Sequence, residues 1–201
     1  MSIGMQVYLV NEAEVKAVAG SGDDVLFKWL RFDEDGEDSL APLDEELVDE
    51  MEDECPGFTH ADALADIIAG RVTRPEAGFV YAYAFEHVCG CFGDWVHDHF
   101  HRSNPELLTQ LDKMFEKHGV SLRFWGGLVG RPPVPLPDVS DSPMLGHWTE
   151  SEVVSAAPAF RAMRAVGPHG EVWFEEMLDE VGAWLEKVAA KPGSMLVASY
   201  R

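Results

Sequence analysis

Two histidines four residues apart, His97 and His101, follow an aspartate, Asp94, inside the run "CGCFGDWVHDHFHRS" (residues 89–103). On a helix, side chains at i and i+4 share a face, so both imidazoles can hold one divalent ion, as paired helical ligands do in zinc enzymes. Asp94 would orient His97 through its ring N–H, or act as a ligand itself. It lies about 10.5 Å along the axis from His101 at 1.5 Å per residue, so all three on one ion is strained. A complete site needs a ligand from elsewhere, and His60, His147 and His169 are the unplaced histidines. Position 98 is Asp, so the run is H-D-H-F-H and not the HExxH of a metalloprotease. One reading of function follows: a metal-dependent hydrolase whose cofactor is a divalent transition metal such as zinc.

Cys91 offers a second chemistry, with His87 four residues before it on the same helical face. A catalytic thiolate needs a base within hydrogen-bond reach and a donor pair for an oxyanion. The spacing supplies the first and nothing shows the second, so the plain reading is a half-buried cysteine. "DEDGED" invites a calcium loop. Aligning Asp33, Asp35 and Gly36 to positions 3, 5 and 6 of an EF-hand puts Arg31 at position 1 and Pro42 at position 12, which removes both obligatory carboxylates. No Gly-rich phosphate loop, GxSxG elbow or CxxC pair occurs. "RFWGG" and "GHWTE" place Trp125 and Trp148 where aromatics could line a pocket for a flat ligand, although tryptophans more often edge a core.

The element that must position the histidines is a helix over residues 79–102. On a wheel, Tyr81, Ala82, Phe85, Val88, Cys89, Phe92, Val96, His99 and Phe100 fall on one side and make a core face. Tyr83, His87, Gly90, Cys91, Asp94, His97, Asp98 and His101 fall on the other. A solvent face would be written in Lys, Glu, Arg and Gln. Gly90 and Gly93 each cost a helix about 1 kcal/mol relative to alanine. A close neighbour could offset that, or the helix breaks near "CGCFG" into two shorter ones.

Charge is the strongest global feature. Fifteen basic against 36 acidic residues give −21, and residues 33–54 hold 13 of the acids with no Lys or Arg. Such a field repels phosphate backbones and anionic lipid, which excludes nucleic-acid and membrane-surface binding and favours a basic protein partner or a cation. An acidic segment also serves plain solubility. No run of 18 apolar residues is present, and the N-terminal stretch lacks a basic n-region. Three cysteines, two of them separated by one residue, do not make a disulfide framework, so a cytoplasmic protein is expected.

Strand composition marks residues 5–10, 120–125 and 194–200, and Gly126-Gly127 is expected to stop the second. Between them the periodicity predicts helices. Asn11 caps one, and "DDVLFKWLRF" makes another with Val25, Leu26, Trp29 and Leu30 on one side. "DEDGEDS" reads as an exposed loop and "LDEELVDEMED" as a helix with Leu43, Leu47 and Met51 as its apolar stripe. Thr59 with Asp62, and Thr149 with Glu152, form capping boxes. A helix starts at Pro105, and the last helix spans 171–190; "RPPVPLPDVSDSP" is a stiff extended connection. The fold class is α+β: a helix-dominated single domain with a small sheet of about three strands, the acidic segment 33–54 lying within it as a stretch that composition leaves either mobile or ordered.

The opening "GMQVYLVNEAEV" and the ending "MLVASY" resemble the YfbM-like family of small bacterial proteins, which begin with a Gly-Met strand leading into a polar helix. That family's Trp-then-His helix motif is not reproduced, since Trp29 in "LFKWLRF" has no histidine after it. The resemblance implies an α+β fold in a bacterial protein and transfers no site. Two functional readings stand together: a non-enzymatic binding protein that needs no cofactor and engages a basic partner through residues 33–54, favoured because acidity is a property of the whole segment, and the metal-dependent hydrolase.

Overall fold

The computed structural model describes residues 4–96, 105–139 and 143–201. The fold is α+β and dominated by helix. The chain divides into two compact units, one made of Met1–Glu12, Gly93–Pro133 and Leu145–Arg201, the other of Ala13–Phe92 and Val134–Met144.

The first unit carries a four-stranded sheet of β1 (Met5–Asn11), β2 (Asp94–Trp95), β5 (Met144–Thr149) and β6 (Ser194–Tyr200), in the order β2-β1-β6-β5. The two strands expected near the chain ends lie side by side at its centre. They run antiparallel from Met5 opposite Tyr200 to Asn11 opposite Ser194. Every residue of β6 is buried, as befits an apolar run covered on both faces. The strand expected at 120–125 is displaced. Residues 120–124 have no regular structure, and the strand that follows, β3 (Trp125–Gly127), pairs in parallel with β4 (Val129–Gly130) in a separate sheet. The cause is Asp112, whose carboxylate accepts the N–H groups of Phe124 and Trp125 at 2.6 and 3.0 Å and so removes donors that a ladder would use.

Strand β5 was hidden by its Gly146 and His147, which interrupt the apolar alternation. Gly146 is required by a close crossing: a Cβ there would stand 2.3 Å from the Gly127 carbonyl oxygen and from the Leu128 carbonyl carbon. Trp148 is 1 % exposed and donates its indole N–H to the Arg123 carbonyl, so it edges the core. Helices α7 (Pro105–Lys117), α8 (Glu150–Ala165) and α9 (Val172–Ala190) complete this unit. The Thr149–Glu152 capping box opens α8 as the spacing predicts, and α9 buries Phe174, Met177, Leu178, Val181, Trp184, Leu185 and Val188. Residues 131–139 form no regular element.

The second unit holds α1 (Glu12–Val18), α2 (Asp24–Arg31), α3 (Ala41–Glu46), α4 (Val48–Glu54), α5 (His60–Ala69) and α6 (Gly78–Phe92). Thr59 and Asp62 cap α5 reciprocally, and Gly70 closes it at φ 67°, a left-handed conformation that glycine adopts without strain. The acidic helix read as continuous is two short ones that break at Leu47, with Leu47 and Met51 buried. Helix α2 does not bury the side predicted for it. Leu30 is buried, whereas Val25 is 76 % and Trp29 54 % exposed.

Helix α6 stops at Phe92 rather than continuing to residue 102. Gly93 follows it, and Asp94 and Trp95 leave as β2, paired with Leu9 and Tyr8 of β1. Two poor helix formers, Gly90 and Gly93, weaken the last turn where strand pairing competes for the chain, which is the break anticipated near "CGCFG". The predicted core face of α6 is buried from Tyr81 to Cys89, but Tyr83 on the other side, and Glu86, which neither face included, are buried as well. No helix among the described residues is long and apolar enough to cross a membrane.

Candidate functional site: the acidic segment and the histidine–carboxylate pairs

Residues 33–54 begin as a tight loop. The Asp33 carboxylate accepts the N–H groups of Asp35 and Glu37 at 3.0 and 2.9 Å, the Asx-turn habit that favours Asp at such positions. Pro42 sits in the first turn of α3, where its missing N–H costs nothing. Of the 13 carboxylates, Asp38 and Asp44 are half-buried and spent within the fold. The remaining eleven, four Asp and seven Glu, are exposed. Asp38 accepts the Arg31 guanidinium at 2.7 Å, and Asp44 meets His60.

The Asp44–His60 pair is the feature that sequence reading missed. His60 is 0 % exposed; its Nδ1 lies 2.5 Å from the Asp44 carboxylate, which also accepts the His60 backbone N–H at 2.9 Å. One carboxylate thus caps α5 and holds the imidazole, tying α3 to α5. A carboxylate can only accept, so Nδ1 carries the proton and Nε2 keeps its lone pair. That Nε2 is buried and has no hydrogen-bond partner among the described residues. Burial pushes the His60 pKa below the ordinary 6.5, against the opposing pull of Asp44, and the His87 charge adds to the lowering. The fifteen residues between the partners give no spacing that would pair them. The only cue was a histidine directly after the Thr59 cap.

His87 and Cys91 do come together, Sγ to Nε2 at 3.5 Å. The same Nε2 lies 2.7 Å from the Leu30 carbonyl oxygen, which can only accept, so this nitrogen is protonated and has no lone pair to take the thiol proton. Burial raises the Cys91 pKa above its ordinary value. The pair is therefore poorly built for nucleophilic chemistry.

Asp94 lies on β2, not on the helix that would have aligned it with His97, and its exposed carboxylate faces Lys191 at 3.5 Å. His97 and His101 lie outside the described residues. Among the described residues no three His, Cys, Asp or Glu side chains are grouped to hold a metal. Two of the histidines left unplaced by the sequence are held by backbone: a ring nitrogen of His147 meets the Arg131 carbonyl at 2.7 Å, and one of His169 the Met163 carbonyl at 2.9 Å.

Elsewhere carboxylates serve the fold. Asp66, 3 % exposed, accepts from Tyr81 Oη at 2.6 Å, Arg71 Nε at 2.9 Å, the Thr73 N–H at 3.1 Å and the Thr73 hydroxyl. Burial works to raise its pKa, but these donors outweigh it and hold the carboxyl below its ordinary range. Glu152 is held down to about 2, first by the bidentate Arg131 guanidinium. A cleft of about 600 Å³ between α8 and α9 has Phe160, Leu178 and Leu185 in its wall, and Arg164 on its rim is already held by Glu175 and Asp179.

A family model described as a domain of unknown function (DUF7691) matches residues 1–201, and the chain belongs to that family. No curated protein and no solved structure matches the chain.

Proposed function

We propose that the protein is a cytoplasmic, non-enzymatic binding protein whose acidic segment, residues 33–54, engages a basic protein partner. The observation that carries this reading is that eleven of the 13 carboxylates are exposed on defined structure, with no Lys or Arg inside the segment. Carboxylates concentrated in one segment steer a cationic partner and fix its orientation, more than they add raw affinity. Their attraction is screened within about 8 Å at physiological ionic strength, so binding through them must weaken with salt. The metal-dependent hydrolase is the weaker reading because Asp94, one of its three proposed ligands, leaves the helix and faces a lysine.

The test is titration of a fluorescent Lys/Arg-rich peptide, followed by anisotropy at low and high salt. The variant Glu45→Gln/Glu46→Gln/Glu52→Gln/Glu54→Gln is compared with a control that neutralises exposed Glu106, Glu116, Glu176 and Glu186 in the other unit. The segment variant is expected to lose about tenfold in affinity, and the control much less. Equal losses in both variants would reduce the effect to net charge and sink the reading.

A further inference from the structure

Helix α2 leaves an apolar stripe in solvent beside the acidic loop. Val25 and Trp29 are four apart, hence on one face, and are 76 % and 54 % exposed; Phe32, three residues on and 39 % exposed, ends the stripe. Trp29 is steadied edge-on by the Phe92 ring, with centroids 5.2 Å apart. The Arg31 guanidinium stands over the Phe32 ring at 5.0 Å while bound to Asp38, so this arginine is already neutralised. The chain passes from Phe32 straight into the exposed carboxylates Asp33, Glu34, Asp35 and Glu37. A large aromatic side chain left half in water with a second ring bracing it costs little entropy to bury further, which is the habit of interface anchors.

We infer that Val25, Trp29 and Phe32, set beside the carboxylates of residues 33–37, receive the apolar face of a basic amphipathic helix. The inference rests on the acidic-segment reading and adds the shape of the partner. Helix-in-groove recognition reads anchors at i, i+3, i+4 and i+7, and here such anchors would meet apolar side chains while flanking lysines meet the acidic loop. A second copy of this chain is a poor occupant, since each copy carries −21.

Two Lys/Leu peptides of identical composition separate the possibilities, one with leucines on a single helical face and one scrambled. Each is titrated against the wild type, Val25→Ser alone, and Val25→Ser/Trp29→Ala, with circular dichroism to check the fold and sedimentation to read assembly. The wild type should bind the amphipathic peptide about tenfold more tightly than the scrambled one. The double variant should bind both alike, at the wild-type affinity for the scrambled peptide. The exposed Val25→Ser alone should fall between, which guards against a folding defect at Trp29. Equal binding of the two peptides by the wild type would overturn the stripe and leave the acidic surface standing. Failure of both peptides to bind overturns both readings. Self-association abolished in the double variant would assign the stripe to a second copy and overturn the inference.

Discussion

The carboxylate of Asp66 and the eleven exposed ones of residues 33–54 belong to the same unit and are put to opposite uses. Asp66 is almost wholly buried and is met by Tyr81, Arg71 and Thr73. Eleven carboxylates of the acidic segment face water, and the segment itself supplies no cation to meet them. A charge that the fold needs comes with donors arranged around it, because an unpaired buried charge is costly. A charge directed outward needs none, and contributes self-repulsion instead of stability. The difference suggests which acids the fold depends on and which remain free to act on something else.

Three measurements can break or sharpen that contrast. The largest effect is expected from Asp66→Ala, which strands the Tyr81 hydroxyl and leaves Arg71 and Thr73 without their acceptor. It should cost about 3 kcal/mol in denaturant unfolding. A loss under about 1 kcal/mol would mean that the cluster is not what holds residues 71–74 in place.

Next comes the boundary case, Asp44, an acidic-segment residue that does serve the fold. The His60 pKa is lowered in the folded protein, so the unfolded chain binds this proton more readily. His60 therefore contributes nothing to pH dependence above 6.5, and stability falls as the pH drops below 6.5 toward the lowered value. Asp44 and His87 are the charges that bear on it. Thermal unfolding between pH 7.5 and 5.5 should show that decline, and His60→Gln should flatten it. A decline unchanged in His60→Gln would move its origin elsewhere.

The smallest effect is expected from the fourfold Glu45, Glu46, Glu52 and Glu54 to Gln variant. Exposed substitutions stay within about 0.5 kcal/mol each, and relief of repulsion favours the variant at low salt. Unfolding midpoints at low and high salt check this. A large destabilisation would show that these acids hold the fold together and would erase the contrast.

Much of the frame was legible in the sequence. Capping boxes at Thr59 and Thr149 are local chemistry, and α9 and β6 carry strong periodic or uninterrupted apolar patterns. The α6 boundary was not fixed by local pattern, because the turn after Cys89 is contested by a strand pairing with residues more than eighty positions earlier. The 120–125 strand failed for a related reason: Asp112, on a preceding helix, takes the backbone donors of Phe124 and Trp125. At the candidate site, the acidity of 33–54 was plain from composition. The Asp44–His60 pair was invisible, since it joins two helices by a contact that no spacing rule encodes. The exposure of Trp29 ran against its type, as the apolar side of a short helix need not be the buried one.

The crossing of Gly127 and Gly146 bears on how this chain can change over time. At Gly146 even a single methyl would strike main-chain atoms, which cannot turn aside as a side chain can. Neutral drift through alanine or serine is closed there, although larger side chains in the surrounding core can exchange volume with their neighbours. Divergent descendants of this sequence would therefore keep the glycine long after the acids of the exposed segment had been reshuffled.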